Sequence, residues 1–161
     1  MKWSEIDLDT TTWAIPGART KTGRPHVVHL SRPALAILTD LAKRRGEGDF
    51  VFTNTGTTPI SGFSKAKARL DKIGGVSAWR LHDYRRTFVS HAADMGIDAI
   101  VADRVLNHSA AATMSVVQRV YQRSEMLDQR RHALEAWGAR VLEIAEGWKD
   151  TTKVVPLVAA K

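Results

Sequence analysis

From Asp83 to Ile144 the apolar residues recur at helical spacing, and this periodicity limits the architecture more than any other feature of the chain. It predicts a helix from Asp83 to about Met95, stopped by Gly96, and a second from Asp98 to near Asn107. A third covers roughly 110–123, and a long last helix carries Leu127, Leu134, Trp137, Val141 and Ile144 as its stripe. The first third has the opposite character. "TTWAIP" and "HVVHLS" are short β-prone runs separated by "GARTKTGRP", whose Gly23 and Pro25 mark a turn, so a hairpin with Lys21 near its tip is expected. Between these regions Ser31 reads as a helix N-cap with Pro33 in the first turn, followed by Ala34, Ile37, Leu38 and Leu41 at helical spacing, with Gly46 just beyond. "DFVFTN" reads as a short strand or extended piece. Ser61 opens another helix with Phe63, Ala66, Leu70 and Ile73 on one side and Lys65, Lys67, Arg69 and Lys72 on the others, ended by Gly74 and Gly75. "TTKVVPLVAAK" is a tail without a clear pattern. The expected class is α+β: a mainly helical domain with a small N-terminal antiparallel β-sheet.

Charge and cysteine usage narrow the chemistry. The chain of 161 residues carries a formal charge of +7 and a pI near 10.1, which favours a polyanionic partner through counterion release. It has no cysteine, which excludes disulfides, thiolate zinc sites and cysteine nucleophiles. No apolar run approaches the length of a membrane span, and "MKWSEIDLD" lacks the apolar region of a signal peptide, so a cytoplasmic protein with no membrane partner is expected. The histidines do not read as a metal site. His26 and His29 are three apart on one strand and point to opposite faces, and His82 and His91 are nine apart on one helix.

The segment "LHDYRRTFVSHAADMG" concentrates His82, Arg85, Arg86 and His91 against only two acids, Asp83 and Asp94. Such a face is either merely basic or built to hold an anion. Across the chain, Lys21, His82, Arg85, His108 and Tyr121 are the candidates for chemistry. Each has an ordinary alternative: Tyr121 as a core tyrosine above Met114 and Val117, His82 as a neighbour of a helix cap, Arg85 in a surface pair with Asp83 or Asp94, His108 on the last carbonyls of a helix, and Lys21 as a hairpin lysine.

Taken in order, these residues resemble the active site of the tyrosine recombinases, the phage integrase family. "LHDYRRTFVSH" is similar to the family's His-x-x-Arg block, and "VLNHSA" to its Leu-Gly-His-Ser segment, with Asn107 where glycine is usual. "VYQRSEMLDQRRHALEAW" resembles the nucleophile segment of prophage and genomic-island integrases, and "ARTKTGRPHVVHLS" the hairpin that carries the family's lysine. The resemblance implies a catalytic core that breaks and rejoins DNA with Tyr121 as nucleophile, leaving a 3′-phosphotyrosine and a free 5′-hydroxyl. Arg85 and His82 would hold the phosphate, with His108 as a further donor and Lys21 as general acid. It implies double-stranded DNA as partner, a homo-oligomer (a tetramer on DNA), a place in the nucleoid, and neither metal nor cofactor. The interval of thirteen residues from His108 to Tyr121 is a departure, since many relatives use a shorter one. Tyr84, inside the His-x-x-Arg block, stands too close to serve as nucleophile.

The expected organisation is an integrase-like catalytic domain over residues 1–149 and a tail over 150–161. The family's first arginine stands several residues before a segment like "MKWSEIDLD", and that segment begins here at Met1, with Trp3 and Ile6 opening the first strand. The expectation is therefore a catalytic domain incomplete at its N-terminus, a fragment with weak or no activity alone. The alternatives are a non-catalytic DNA-binding remnant and a small helical interaction domain. On the last helix, Leu134, Trp137 and Val141 are expected to pack on their own domain, with Arg130, Arg131 and Arg140 lining part of the helix. Trp148 and "VVPLVAA" are the segment that would dock onto a neighbouring subunit.

Overall fold

The structure is a computed structural model and describes residues 1–108 and 126–147. The helix expected over roughly 110–123, Tyr121, Trp148 and the tail lie outside these residues. A three-stranded antiparallel sheet, ordered β1 (Ile6–Asp7), β2 (Thr12–Ile15) and β3 (His26–His29), forms the N-terminal part. The register pairs Ile6 with Trp13, Trp13 with Val28 and Ile15 with His26, which is the hairpin the sequence predicted. Trp3 differs from expectation. It lies in a 3-10 turn (Trp3–Glu5) ahead of β1, where its ring is buried. The turn between β1 and β2 forms because Asp7 Oδ1 accepts the amides of Asp9 and Thr10, each at 2.9 Å. "DFVFTN" is an extended piece: Trp3 donates its amide to the Asp49 carbonyl at 2.7 Å, and Lys2 bridges Phe50.

Five α-helices follow among the described residues: α1 (Arg32–Lys43), α2 (Phe63–Gly74), α3 (Asp83–Asp94), α4 (Ala99–Val105) and α5 (Leu127–Ala145). None of the helices there is long and apolar enough to cross a membrane. Two hydrophobic clusters result. Trp3, Leu30, Leu38 and Val51 join the sheet to α1, with Ile6, Trp13 and Leu41 packed around them. Phe88, Ala92 and Ala102 join α3 to α4, with Ile97, Val105, Leu106 and Trp137 around them.

α5 ties the two clusters together, because it packs on α1 and β3 as well as on α3 and α4. At α1 the approach is close enough to require glycine. A Cβ on Gly138 would lie 2.8 Å from Ser31 Oγ and 2.9 Å from Pro33 Cγ. Ser31 does occupy the N-cap of α1, but its side chain makes no capping bond. Glu135 of α5 takes that role, accepting the Arg32 amide at 3.1 Å on one carboxylate oxygen and His29 Nε2 at 2.7 Å on the other. Arg130, which the sequence placed in a row along the helix, is 3% exposed and donates to the Val27 carbonyl of β3. It is part of the junction between α5 and the sheet.

These bonds give Glu135 a pH signature. The hydrogen bond from His29 holds its carboxyl below the ordinary 4.5, against the opposing effect of burial, and the Arg32 amide adds to the lowering. A depressed folded value contributes stability that is present above 4.5 and lost as pH falls through the folded value. In urea unfolding across pH, the gap between wild type and Glu135→Gln should be widest above that value and close on acidification. A gap that stays constant with pH would show that the carboxylate charge is not what α5 uses at this junction.

α2 departs from expectation. Its stripe of Phe63, Leu70 and Ile73 is helical in spacing, yet all three side chains are exposed, Ile73 by 72%. The helix begins at Phe63 after Gly62, whose φ is +79°, and not at Ser61. Lys67 attaches it to the following turn. Its Nζ lies 4.7 Å from the centroid of the Trp79 ring, 3.2 Å from the Ser77 carbonyl and 2.7 Å from Asp71.

Candidate functional site

The first turns of α3 and the end of α4 flank an open cavity of about 280 Å³, lined among the described residues by His82, Arg85, Arg86, Val89, Ser90, Leu106 and His108. The described residues that line it thus include two arginines and two histidines and no acidic residue. The volume falls just below the range of organic-ligand pockets, which start at roughly 300 Å³, and is ample for one phosphodiester.

The start of α3 sets two of these residues. Asp83 turns back to accept the Arg80 amide at 2.8 Å, and its own amide donates to the Arg80 carbonyl at 2.9 Å, which fixes the entry into the helix. His82 occupies the cap position with helical dihedrals, and its side chain makes no capping bond. His82 lines the cavity at the positive end of the helix. Arg85, one turn on, donates through Nη2 to the Leu106 carbonyl. Neither acid suggested for a surface pair with Arg85 is its partner. Asp83 lies 3.7 Å from Arg86, and Asp94 lies 3.9 Å from His91.

The end of α4 sets the rest. Asp98 starts this helix by accepting the Ile100 amide at 2.7 Å. At the other end the Asn107 amide donates to the Arg104 carbonyl at 3.1 Å, and the His108 amide to the Asp103 carbonyl at 3.0 Å. This is a Schellman cap, which requires a left-handed residue in the penultimate position. Asn107 supplies it with φ +54°. The departure from glycine in "VLNHSA" therefore preserves the backbone, because asparagine tolerates this region better than other non-glycine residues. The cap places His108 beside the cavity and leaves the Leu106 carbonyl to receive Arg85. Asp103 Oδ1 lies 3.1 Å from His108 Nδ1.

Two consequences can be measured. Asn107→Gly should leave stability unchanged or raise it slightly, whereas Asn107→Ala should cost about 1–2 kcal/mol in urea unfolding. Equal stabilities for the alanine and glycine variants would mean that the left-handed turn is not maintained.

Of the five residues singled out from the sequence, the fold brings three into one cavity: His82, Arg85 and His108. Lys21 is exposed in the loop joining β2 to β3 and is not among the lining residues. That loop is moored at its base by Arg19, which pairs with the largely buried side chain of Glu5. Glu5 also accepts Trp13 Nε1 at 3.1 Å. Tyr121 lies outside the described residues. Sequence reasoning passed over Arg86 and Ser90 as lining residues, and the Leu106 carbonyl as the partner of Arg85. Arg86 was visible as a second cation in the same block, but a carbonyl partner has no signature in side-chain identity.

Comparison with known proteins agrees with the geometry. The model of the phage integrase family matches residues 1–126. The chain is 31% identical to prophage integrase IntA of Escherichia coli K12 over 138 residues, covering 84% of this chain and 32% of that protein. It is 30% identical to prophage integrase IntZ of the same organism over 147 residues, covering 91% of this chain and 36% of the relative. The integrase of Enterobacteria phage P4 is 26% identical over 155 residues, covering 84% of this chain and 34% of that protein. The chain thus spans about a third of the length of the curated relatives it matches. No solved structure matches it. With the family model covering most of its length and the basic cavity formed by residues within that match, the chain belongs to the phage integrase family.

Proposed function

We propose that residues 1–149 form the catalytic domain, with a tyrosine recombinase core fold, of an enzyme for site-specific DNA recombination and integration, and that 150–161 are a tail. The observation that carries this reading is the convergence of His82 and Arg85 with His108, more than twenty residues further on, around one cavity with no acidic residue among the described residues that line it. A phosphodiester of duplex DNA enters the cavity. Arg85 presents a planar fork to two of its oxygens, with His82 and His108 beside it. Tyr121 attacks phosphorus. The bond from its phenolic oxygen to phosphorus forms as the bond to the 5′-oxygen breaks, the phenol passes its proton to solvent water, and Lys21 protonates the departing 5′-oxygen. The 3′-phosphotyrosine stores the bond energy until another 5′-hydroxyl reverses the step. Fixed cations matter because negative charge gathers on the non-bridging oxygens in the transition state, where one donor is typically worth about 10²–10³ in rate. The partners in this reading are double-stranded DNA and further copies of the full-length protein as a tetramer in the nucleoid.

The chain spans about a third of the length of its curated relatives, and alone it should form little adduct. A nicked suicide duplex incubated with purified chain should yield a small but detectable amount of covalent product, absent in Tyr121→Phe, together with salt-dependent binding. Adduct that survives Tyr121→Phe, or duplex binding indifferent to salt, would overturn the reading. Salt-dependent binding with no Tyr121-dependent product selects the alternative, a non-catalytic DNA-binding remnant.

A further inference from the structure

We infer that Asp103 is a positioning residue for the site: it holds the His108 ring so that Nε2, and not Nδ1, is the nitrogen offered to the cavity. The inference rests on the reading of the cavity as a phosphate site. Asp103 grips His108 twice, through its backbone carbonyl, which accepts the His108 amide at 3.0 Å, and through its carboxylate, 3.1 Å from Nδ1. A carboxylate can only accept, so Nδ1 carries the hydrogen of that bond. The ring's other nitrogen is then an acceptor when the imidazole is neutral and a donor when it is protonated, which are the two states a proton-handling or phosphate-binding group needs. Without the carboxylate, rotation about the Cβ–Cγ bond would let either nitrogen face the cavity.

The arrangement follows from the cap. Asp103 stands at the third-last position of the helical hydrogen-bonding frame and His108 two residues past its end, and the left-handed Asn107 folds the second back over the first. Both side chains remain about half exposed, so the pair adds little to stability. Its effect is on which nitrogen faces the cavity.

The experiment is long-range proton–nitrogen correlation on the ¹⁵N-labelled chain, with the ring assigned through His108→Gln. It is run at about pH 8.5, above the ordinary imidazole range. Wild type should show His108 with hydrogen on Nδ1. Asp103→Ala should shift it to the Nε2–H form that a free imidazole prefers, and Asp103→Asn, whose amide oxygen still accepts, should retain the wild-type form. Inorganic phosphate titrated into the same proteins at about pH 5.5, below the ordinary imidazole range, where Nε2 also carries a hydrogen and can donate, should bind about fivefold more weakly to Asp103→Ala, the loss expected for one modest hydrogen bond. An Nε2–H ring in wild type, or an Nδ1–H ring persisting in Asp103→Ala, overturns the inference even where phosphate binds as expected. A tautomer that responds as described, while phosphate moves no signal of His82, Arg85 or His108, supports the hold of Asp103 on the ring and defeats the phosphate reading instead.

Discussion

Replacing Arg85 by alanine lowers the affinity of the chain for duplex DNA, and for inorganic phosphate, by about tenfold to a hundredfold, the worth of hydrogen bonds to a charged group. The unfolding midpoint should hardly move. Arg85 is an exposed residue of α3 whose partner among the described residues is the Leu106 carbonyl, and Leu106 lines the cavity, where water can replace the guanidinium. The Schellman cap that shapes the end of α4 does not involve Arg85. Arg85→Lys should recover part of the affinity, because an ammonium restores the charge without the planar fork. The comparison that gives the result meaning is Lys72→Ala, on the exposed face of α2. It removes one general contact with the phosphate backbone and should reduce the salt slope of DNA binding by about one unit. If Arg85→Ala behaves no differently from Lys72→Ala, the cavity is only part of a basic surface.

The features legible in the sequence are those governed by local chemistry. The β2–β3 hairpin, the Pro33 start of α1, the Asp98 start of α4 and the glycine stop at Gly74 and Gly75 each follow from backbone preferences of one or two residues. The grouping of His82 with Arg85 was legible because one helical turn separates them. What remained hidden depends on which surfaces meet. The spacing of Phe63, Leu70 and Ile73 specifies a helix, but no periodicity says what covers its apolar side, and among the described residues no other element packs closely on it. Arg130 looked like one member of a surface row of arginines, yet the close approach made possible by Gly138 and Glu135 carries the helix onto β3 and buries it. The Ser31 side chain looked like the cap of α1, and the bond is made by Glu135, more than a hundred residues away. Asn107 is the instructive case. As a residue it departs from the motif, while its positive φ retains the conformation the motif requires.

Phe88→Ala, by contrast, should remove about 3–5 kcal/mol of stability, as deletion of a buried aromatic ring does. Phe88 is 4% exposed and packs with Ala92 of α3 and Ala102 of α4, and its ring meets Trp137 of α5 edge-on at 5.7 Å between centroids. Small residues on two of these sides have no side-chain length with which to refill the space, so a cavity should persist. For a domain of this size the loss corresponds to a fall of roughly 10 °C in thermal midpoint. Phe88→Leu, which keeps most of the volume, should cost less than about 1.5 kcal/mol. The two variants also separate fold from site. Phe88 is not among the described residues that line the cavity, but it packs α3 against α4, and the cavity lies between the start of one helix and the end of the other. At temperatures where Phe88→Ala is still folded, phosphate binding should therefore weaken less than in Arg85→Ala, and it should be lost together with the fold as the sample melts. A phenylalanine that can be truncated for less than about 1 kcal/mol would mean that α3 and α4 are not held by this cluster, contrary to its burial.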